Sequence, residues 1–342
     1  MYLLAFESSC DDTSVALLKD GRLISMHTHT QIEHIQTLGV VPEVAARLHA
    51  DHVFDLIKKV LKDAEITLED IDIFAATSEP WLIPSLLIGK TVAKTLATTH
   101  KKPLIWVNHI EWHIFSVLLE RKITDIVFPS VVLSASGGHN DLFLWDLLPP
   151  LWRGDKNYDT IGGFRIERIG STRDDSAGES MDKVGRSMGL PFPAGRHIDE
   201  LSGKFDTSQH TLIDFPLVLP ADCLDFSFSW LKSAALREIE MRKKEHGEIT
   251  EADRIEIAYS YQKIITDILI ARTLEAQKKL WAKSICIVWG VSANSALRKS
   301  IAQFSEESWI PYYLPKSLKY CGDNAAMIGV RAWWESKKIW LT

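Results

Sequence analysis

Apolar and polar positions come in blocks along this chain. YLLAFESS (residues 2–9) is an apolar run ending in small polar residues, the pattern of a buried strand entering a turn. TSVALLKDGRLIS follows as a second strand and a hairpin, with Asp20-Gly21 as its turn. From Pro42 a helix is expected, with Val44, Leu48, Phe54, Leu56, Ile57 and Leu61 near helical spacing. IDIFAATSEP then predicts a strand, SLLIGKTVAKTLATTH a helix and PLIWVNH another strand, a β-β-α-β-α-β order. A second β-rich start is FPSVVLSASGGHNDLFLW, two strands joined at Gly137-Gly138. Beyond it the pattern predicts a helix over about 175–188, two long helices within about 229–280, the strand SICIVW and a helix near Asn294. PYYLP reads as a last short strand before a helix that follows Asp323, while about 146–168 and 196–222 read as loops. Two such starts, each followed by alternating helices and strands, predict two α/β domains around a cleft.

The length of 342 residues accommodates two cores. A net charge of −6 excludes a globally basic nucleic-acid binder but not a local patch. Arg237, Arg242, Lys243 and Lys244 form one, which reads first as a solvated helix face and second as an RNA contact. The cysteines Cys10, Cys223, Cys286 and Cys321 are scattered, and no run of 18 apolar residues occurs. A soluble protein of a reducing, cytoplasmic compartment with no membrane partner is the expectation.

Candidate chemistry centres on NHIEWHIF (residues 108–115). On a helix His109 and His113 share a face and can ligate one metal ion. Twelve histidines produce about 0.4 such pairs by chance, so spacing alone is weak evidence. Glu111 points about 200° away, which misplaces it as the base of an H-E-x-x-H protease. A third ligand must come from elsewhere, and a carboxylate such as Asp323 qualifies. Gly137 and Gly138 fit a phosphate-facing turn or a plain hairpin, and Asn294 a ligand contact or a helix cap. Asp174, Asp175, Glu179 and Asp182 suit a metal, ribose hydroxyls or simply a helix N-terminus. Asp11 and Asp12 follow the first strand, where a turn tolerates them.

Eight segments in order carry a resemblance: ESSCDDTSVAL, GVVPEVAARLH, HIEWH, SGGHNDL, DDSAGESMDKVG, LDFSFSWLK, GVSANSALR and CGDNAAMI. From residue 1 to about 330 the chain closely resembles the tRNA adenosine threonylcarbamoyltransferase family (TsaD), whose early members were labelled proteases. The resemblance implies two RNase-H-like domains of the actin-like, Hsp70-like ATPase fold around a central cleft. The first is expected over 1–108 plus a C-terminal helix at 324–342, the second over 109–323 with the metal and nucleotide motifs. It also implies transfer of a threonylcarbamoyl group from threonylcarbamoyl-adenylate to N6 of the adenosine 3′ to the anticodon of ANN-decoding tRNAs. By matching position His109, His113 and Asp323 would hold one Fe2+ or Zn2+ ion. Ser134, Ala135, Ser136, Gly137, Gly138, Asp182, Gly195 and Asn294 would bind nucleotide and substrate, and Asp11 would be catalytic. Implied partners are tRNA, a shorter TsaB-like paralogue as heterodimer partner and a small TsaE-like ATPase. The competing readings are a non-catalytic structural subunit of the same complex, a metalloprotease, and a small-molecule carbamoyl or phosphoryl transferase.

Composition matters in one further respect. Tryptophan (12) exceeds tyrosine (7), and glycine is low at 18. At Trp81, Trp112, Trp230 and Trp289 the resembled family has glycine, as many members do at Trp106. Glu79, Pro84 and Ala194 also replace its glycines, and Arg196 a proline. Three explanations stand: a non-catalytic paralogue, adaptation with compensating changes, or a UGA codon that specifies glycine but is read as tryptophan. Retained polar residues and exchange chiefly to a single residue type favour the third, which extends to some of the other tryptophans, such as Trp333 and Trp334. Restoring the five positions brings glycine to 23, back near the usual 7% or so.

Overall fold

The computed structural model describes residues 1–34, 39–147, 163–217 and 223–339. They fall into two compact units. The first joins Met1–Asp125 to Phe164 and to residues 315–339; the second takes 126–147 and most of 165–314. The boundary therefore lies after Asp125 rather than after residue 108. His109, His113 and Asp323 belong to the first unit, not the second, because the helix bearing both histidines packs against the last helix of the chain.

In the first unit β1 (Tyr2–Glu7) pairs antiparallel with β2 (Asp12–Lys19), which pairs antiparallel with β3 (Arg22–Thr30). Asp20 (φ 51°) and Gly21 (φ 76°) make the predicted hairpin turn, placing Lys19 opposite Arg22. Helix α1 (Pro42–Asp63) leads to β4 (Ile73–Glu79), which lies parallel to β1. Helix α2 (Ile83–His100) then leads to β5 (Leu104–Asn108), parallel to β4. The sheet order is β3-β2-β1-β4-β5. Leu4, Phe6, Val15 and Leu17 pack against Val53, Leu56, Ile57 and Val60 of α1 and Val92, Ala93 and Ala97 of α2. Of the positions expected on the buried face of α1, Leu56 and Ile57 are buried, whereas Val44 and Phe54 are exposed and Ala45, Val53 and Val60 are buried instead. Short α3 (His109–Phe115) and the terminal α9 (Ala325–Ile339) complete the unit, with α9 packed on β1 and β2.

The second unit repeats the same topology. β6 (Ser130–Ala135) pairs antiparallel with β7 (Asn140–Leu147) and parallel with β9 (Ser284–Val288). With β8 (Phe164–Ser171) and β10 (Tyr312–Tyr313) the order is β10-β9-β6-β7-β8. Counted within each unit both sheets read 3-2-1-4-5, which bears out the expected pair of like α/β units. The helices are α4 (Ala177–Ser187), α5 (Ala194–Ser202), α6 (Ser229–His246), α7 (Glu251–Lys279) and α8 (Ser295–Ser308).

Two elements contradict the expected loops. β8 carries Arg165, Glu167 and Arg168 on an edge strand, which erases the alternation a half-buried strand shows. α5 is nine residues long and buries chiefly Ala194, Ile198 and Leu201, too short a stripe for a helical period to register. The rest of the 146–168 segment, and 218–222 of the other, lie largely outside the described residues. Among those described, no helix is long and apolar enough to cross a membrane.

The basic stretch on α6 is partly internal. Arg242 bonds Glu238 (2.8 Å), Asp253 (2.6 Å) and Glu256 (2.5 Å). Burial would push the Asp253 carboxyl up, but hydrogen bonds from Arg242, Thr250 and His246 hold it well below the ordinary carboxylate range. A carboxylate with a lowered folded pKa contributes fully above its unfolded value, about pH 4, and loses that contribution as pH falls through the folded value. Arg242→Leu is therefore expected to cost about 3 kcal/mol at pH 7, since it strands two buried carboxylates. The deficit in urea unfolding should shrink below about pH 4 as those groups take up protons.

Candidate functional site

In the first unit β5 ends at Asn108, whose Oδ1 accepts hydrogen bonds from the N–H groups of Ile110 (3.0 Å) and Glu111 (3.4 Å). This cap starts α3 at His109 and puts His113 one turn further on the same face. Both imidazoles are fully buried. Asp323 precedes α9, whose start is capped by Asn324 Oδ1 on the Ala326 and Met327 N–H groups. Asp323 Oδ1 lies 3.3 Å from His113 Nε2. One donor atom from each of the three residues lies within 4.8 Å of the other two. Two imidazole nitrogens and a carboxylate suit Fe2+ or Zn2+, with positions left for a substrate. Ser9 Oγ, 3.0 Å from His109 Nδ1, fixes that ring as outer-shell partners of metal-binding histidines do. Burial holds His113 well below the ordinary imidazole pKa, in the neutral form that ligation requires. The residues present fit a metal ion.

Glu111 turns away, as its helical phase predicts, and its Oε2 accepts from the buried Arg331 guanidinium at 3.1 and 3.2 Å. It is not placed to serve as a hydrolytic base.

Acidic groups surround the loop after β1. Glu7 is buried, with Thr77 Oγ1 and the Ser9 N–H donating to it. Burial, reinforced by the charge of Asp323, raises its carboxyl to about 8. Burial also raises Asp12 to about 8; the Thr30 hydrogen bond opposes this, and the charges of Asp323, Asp11 and Glu7 add to it. Asp11 thus lies in the same field as Asp323, on a half-buried loop whose Asp11 carbonyl accepts from Gln31 N–H at 3.1 Å. Glu7 escaped the sequence reading; its one signal was a carboxylate closing an otherwise apolar run.

Two indoles crowd the imidazoles. Trp112 is fully buried, stacks on His113 (ring centroids 3.9 Å apart, 24°) and meets His109 edge-on at 4.6 Å. Trp81 stacks on His109 at 5.0 Å and 18°.

In the second unit Ser134 and Ala135 end β6 and Ser136–Gly138 turn away from it. Ser136 Oγ accepts from the N–H groups of Gly138 and His139, both at 3.0 Å, closing a tight turn. Ser176 caps α4 and donates to the Gly137 carbonyl (2.7 Å). A Cβ on Gly178 would sit 2.6 Å from the Gly137 Cα, so glycine is required for α4 to meet the turn. Asp182 Oδ1 accepts from the Ala194 N–H (2.6 Å) beside Gly195, and burial raises its pKa. Asn294 Oδ1 caps α8 through the Leu297 N–H (3.0 Å), while its amide reaches Gln262 (3.0 Å) and Asp199 (3.4 Å). Asp199 and Gln262, unmarked by any motif, therefore hold that loop. The remaining acids are structural: Asp174 accepts from Phe228 N–H, and Asp175 pairs with Lys183 and Lys232.

Solved structures share the fold. The chain superposes on HypF from T. kodakarensis with TM-score 0.61 at 13% identity, covering 98% of this chain and 48% of that one. For component A of the (R)-2-hydroxyglutaryl-CoA dehydratase of Acidaminococcus fermentans the score is 0.55 at 14%, covering 98% and 99%. Sequence relatives are nearer. The tRNA N6-adenosine threonylcarbamoyltransferase of Limosilactobacillus fermentum is 39% identical over 96% of this chain and 89% of its own. Its namesake from Desulfotalea psychrophila is 37% identical over 96% and 91%. The family model TsaD, tRNA N6-adenosine threonylcarbamoyltransferase, matches residues 22–330. On these matches the chain belongs to the tRNA N6-adenosine threonylcarbamoyltransferase family.

Proposed function

We propose that this chain transfers a threonylcarbamoyl group from threonylcarbamoyl-adenylate to N6 of the adenosine 3′ to the anticodon of ANN-decoding tRNAs. The carrying observation is the His109–His113–Asp323 trio, with both imidazoles buried, in a chain that matches the family over nearly its whole length. In the reaction N6 forms a bond to the carbamoyl carbon, the bond from that carbon to the phosphate oxygen breaks, and AMP departs. The amine loses one proton.

Each residue has a physical task. His109, His113 and Asp323 would hold iron or zinc, which when bound supplies a Lewis acid to polarise the carbonyl. Ser9 orients the His109 ring. Asp11 takes the proton that N6 loses, a role that requires hydrogen-bond reach of the amine. The Ser134 to Gly138 segment would line the adenylate at the end of β6, and Asp182, Gly195 and Asn294 complete the nucleotide contacts. A TsaB-like paralogue, a TsaE-like ATPase and a cytoplasmic setting belong to the same reading, supported by family membership. Nothing favours the non-catalytic subunit, and the position of Glu111 on Arg331 argues against a protease.

Mass spectrometry of nucleosides from tRNA incubated with enzyme and the adenylate tests the activity. Chelation should abolish product, and Fe2+ or Zn2+ should restore it. His109→Ala or His113→Ala should lower bound metal and turnover together by at least about 100-fold, and Ser9→Ala should lower metal affinity by about 10-fold. Asp11→Asn should retain the metal yet slow transfer by about 100-fold or more. Product formed at full rate by a chain that has lost its metal would overturn the proposed site.

A further inference from the structure

Backbone geometry singles out a subset of the tryptophans. Four of the ten described tryptophans have φ between +20° and +160°: Trp81 (154°), Trp281 (52°), Trp289 (74°) and Trp309 (60°). Five of the sixteen described glycines do so, but only four of all other described residues, namely Asp20, Glu65, Lys101 and Glu120. Tryptophan in this protein follows the backbone statistics of glycine. For a bulky L side chain that region is a genuine outlier.

The local structures say the same. Trp281 follows α7, with the Ala282 N–H bonded to the Gln277 carbonyl at 3.0 Å. That six-residue closure is the helix end in which the left-handed position is usually glycine. The chain supplies its own comparison after α4. There Leu190 N–H bonds the Gly185 carbonyl at 2.9 Å, and Gly189 (φ 79°) occupies the place of Trp281. Trp309 ends α8 in the simpler left-handed cap, its N–H on the Ser305 carbonyl at 2.9 Å, with Pro311 two residues on. The Trp281 and Trp309 side chains are 86% and 91% exposed, so no packing compensates for the strain. Trp289 (φ 74°, ψ −173°) lies in a region open essentially to glycine alone. Trp145, by contrast, is fully buried in β7, packs edge-on against Phe128 and has ordinary φ.

We infer that positions 81, 281, 289 and 309 are glycine in the protein its gene encodes, each specified by a UGA codon, and that Trp145 is a true tryptophan. Positions 281 and 309 lie outside the motifs, so the assignment there rests on backbone alone and is independent of the proposed activity. At 112, 230, 333 and 334 the backbone is helical and does not discriminate.

Codon sequencing and tandem mass spectrometry of the protein from its native host are the first test. The expected result is UGA and glycine at all four positions, with UGG and tryptophan at 145. Tryptophan read at 281 or 309 overturns the inference. Thermal unfolding of the recombinant tryptophan-containing chain is the second test. Trp281→Gly and Trp309→Gly should each raise the midpoint by about 2–4 °C, whereas Trp145→Gly should lower it or prevent folding. A fall in midpoint for the first two would sink the backbone argument.

Discussion

Burial of one strand on both faces in each unit is the constraint on which the rest depends. In β1, Leu3 to Glu7 are buried, with Leu4 and Phe6 against α1 and α2 and the other face covered by α9. All six residues of β6 are buried likewise. A strand covered on both sides has no polar face, so its chemistry emerges where the strand stops. Glu7 is the last residue of β1, Ser9 and Asp11 follow it, and His109 follows β5, which lies parallel to β4 in the same sheet. The Ser136–Gly138 turn leaves β6, and the segment from Trp289 to Asn294 leaves β9. Ligands of open α/β sheets bind beyond the carboxyl ends of strands for this reason.

The same positions must also end strands and begin helices, so most candidate site residues serve the fold in their own right. Asn108, Ser176, Asn294 and Asn324 each cap a helix start that lies at or beside a candidate site residue. Asp182 spends one oxygen on the α5 backbone. Burial, with the charge of Asp323 adding to it, raises the Glu7 and Asp12 carboxyls and so limits repulsion among these acids.

Tight exits from strands and helices also demand backbone angles that bulky side chains avoid. Gly189 and Gly247 meet that demand after α4 and α6. Where tryptophan stands in equivalent places, the conflict lies between one residue and its own dihedral angles, before any neighbour is considered.

Sequence alone determined the long elements, because apolar periodicity over ten or more residues records which face is buried. It pointed to the candidate metal trio chiefly through resemblance: His109 and His113 are one helical turn apart, but nothing local links them to Asp323, over two hundred residues away. Tertiary structure decided what short-range pattern does not encode. The charged edge strand β8 and the nine-residue α5 carry too few apolar positions to register, and the unit boundary follows from α3 packing on α9. The buried carboxyl of Glu7 and the Asn294–Gln262–Asp199 bonds exist only once distant segments meet. So do the duties of Asp174, Asp175 and Arg242, which a sequence shows as surface charge and the fold uses as internal ties. Sequence records the periodic burial of one segment; pairings between segments are settled by packing, where distance along the chain carries no information.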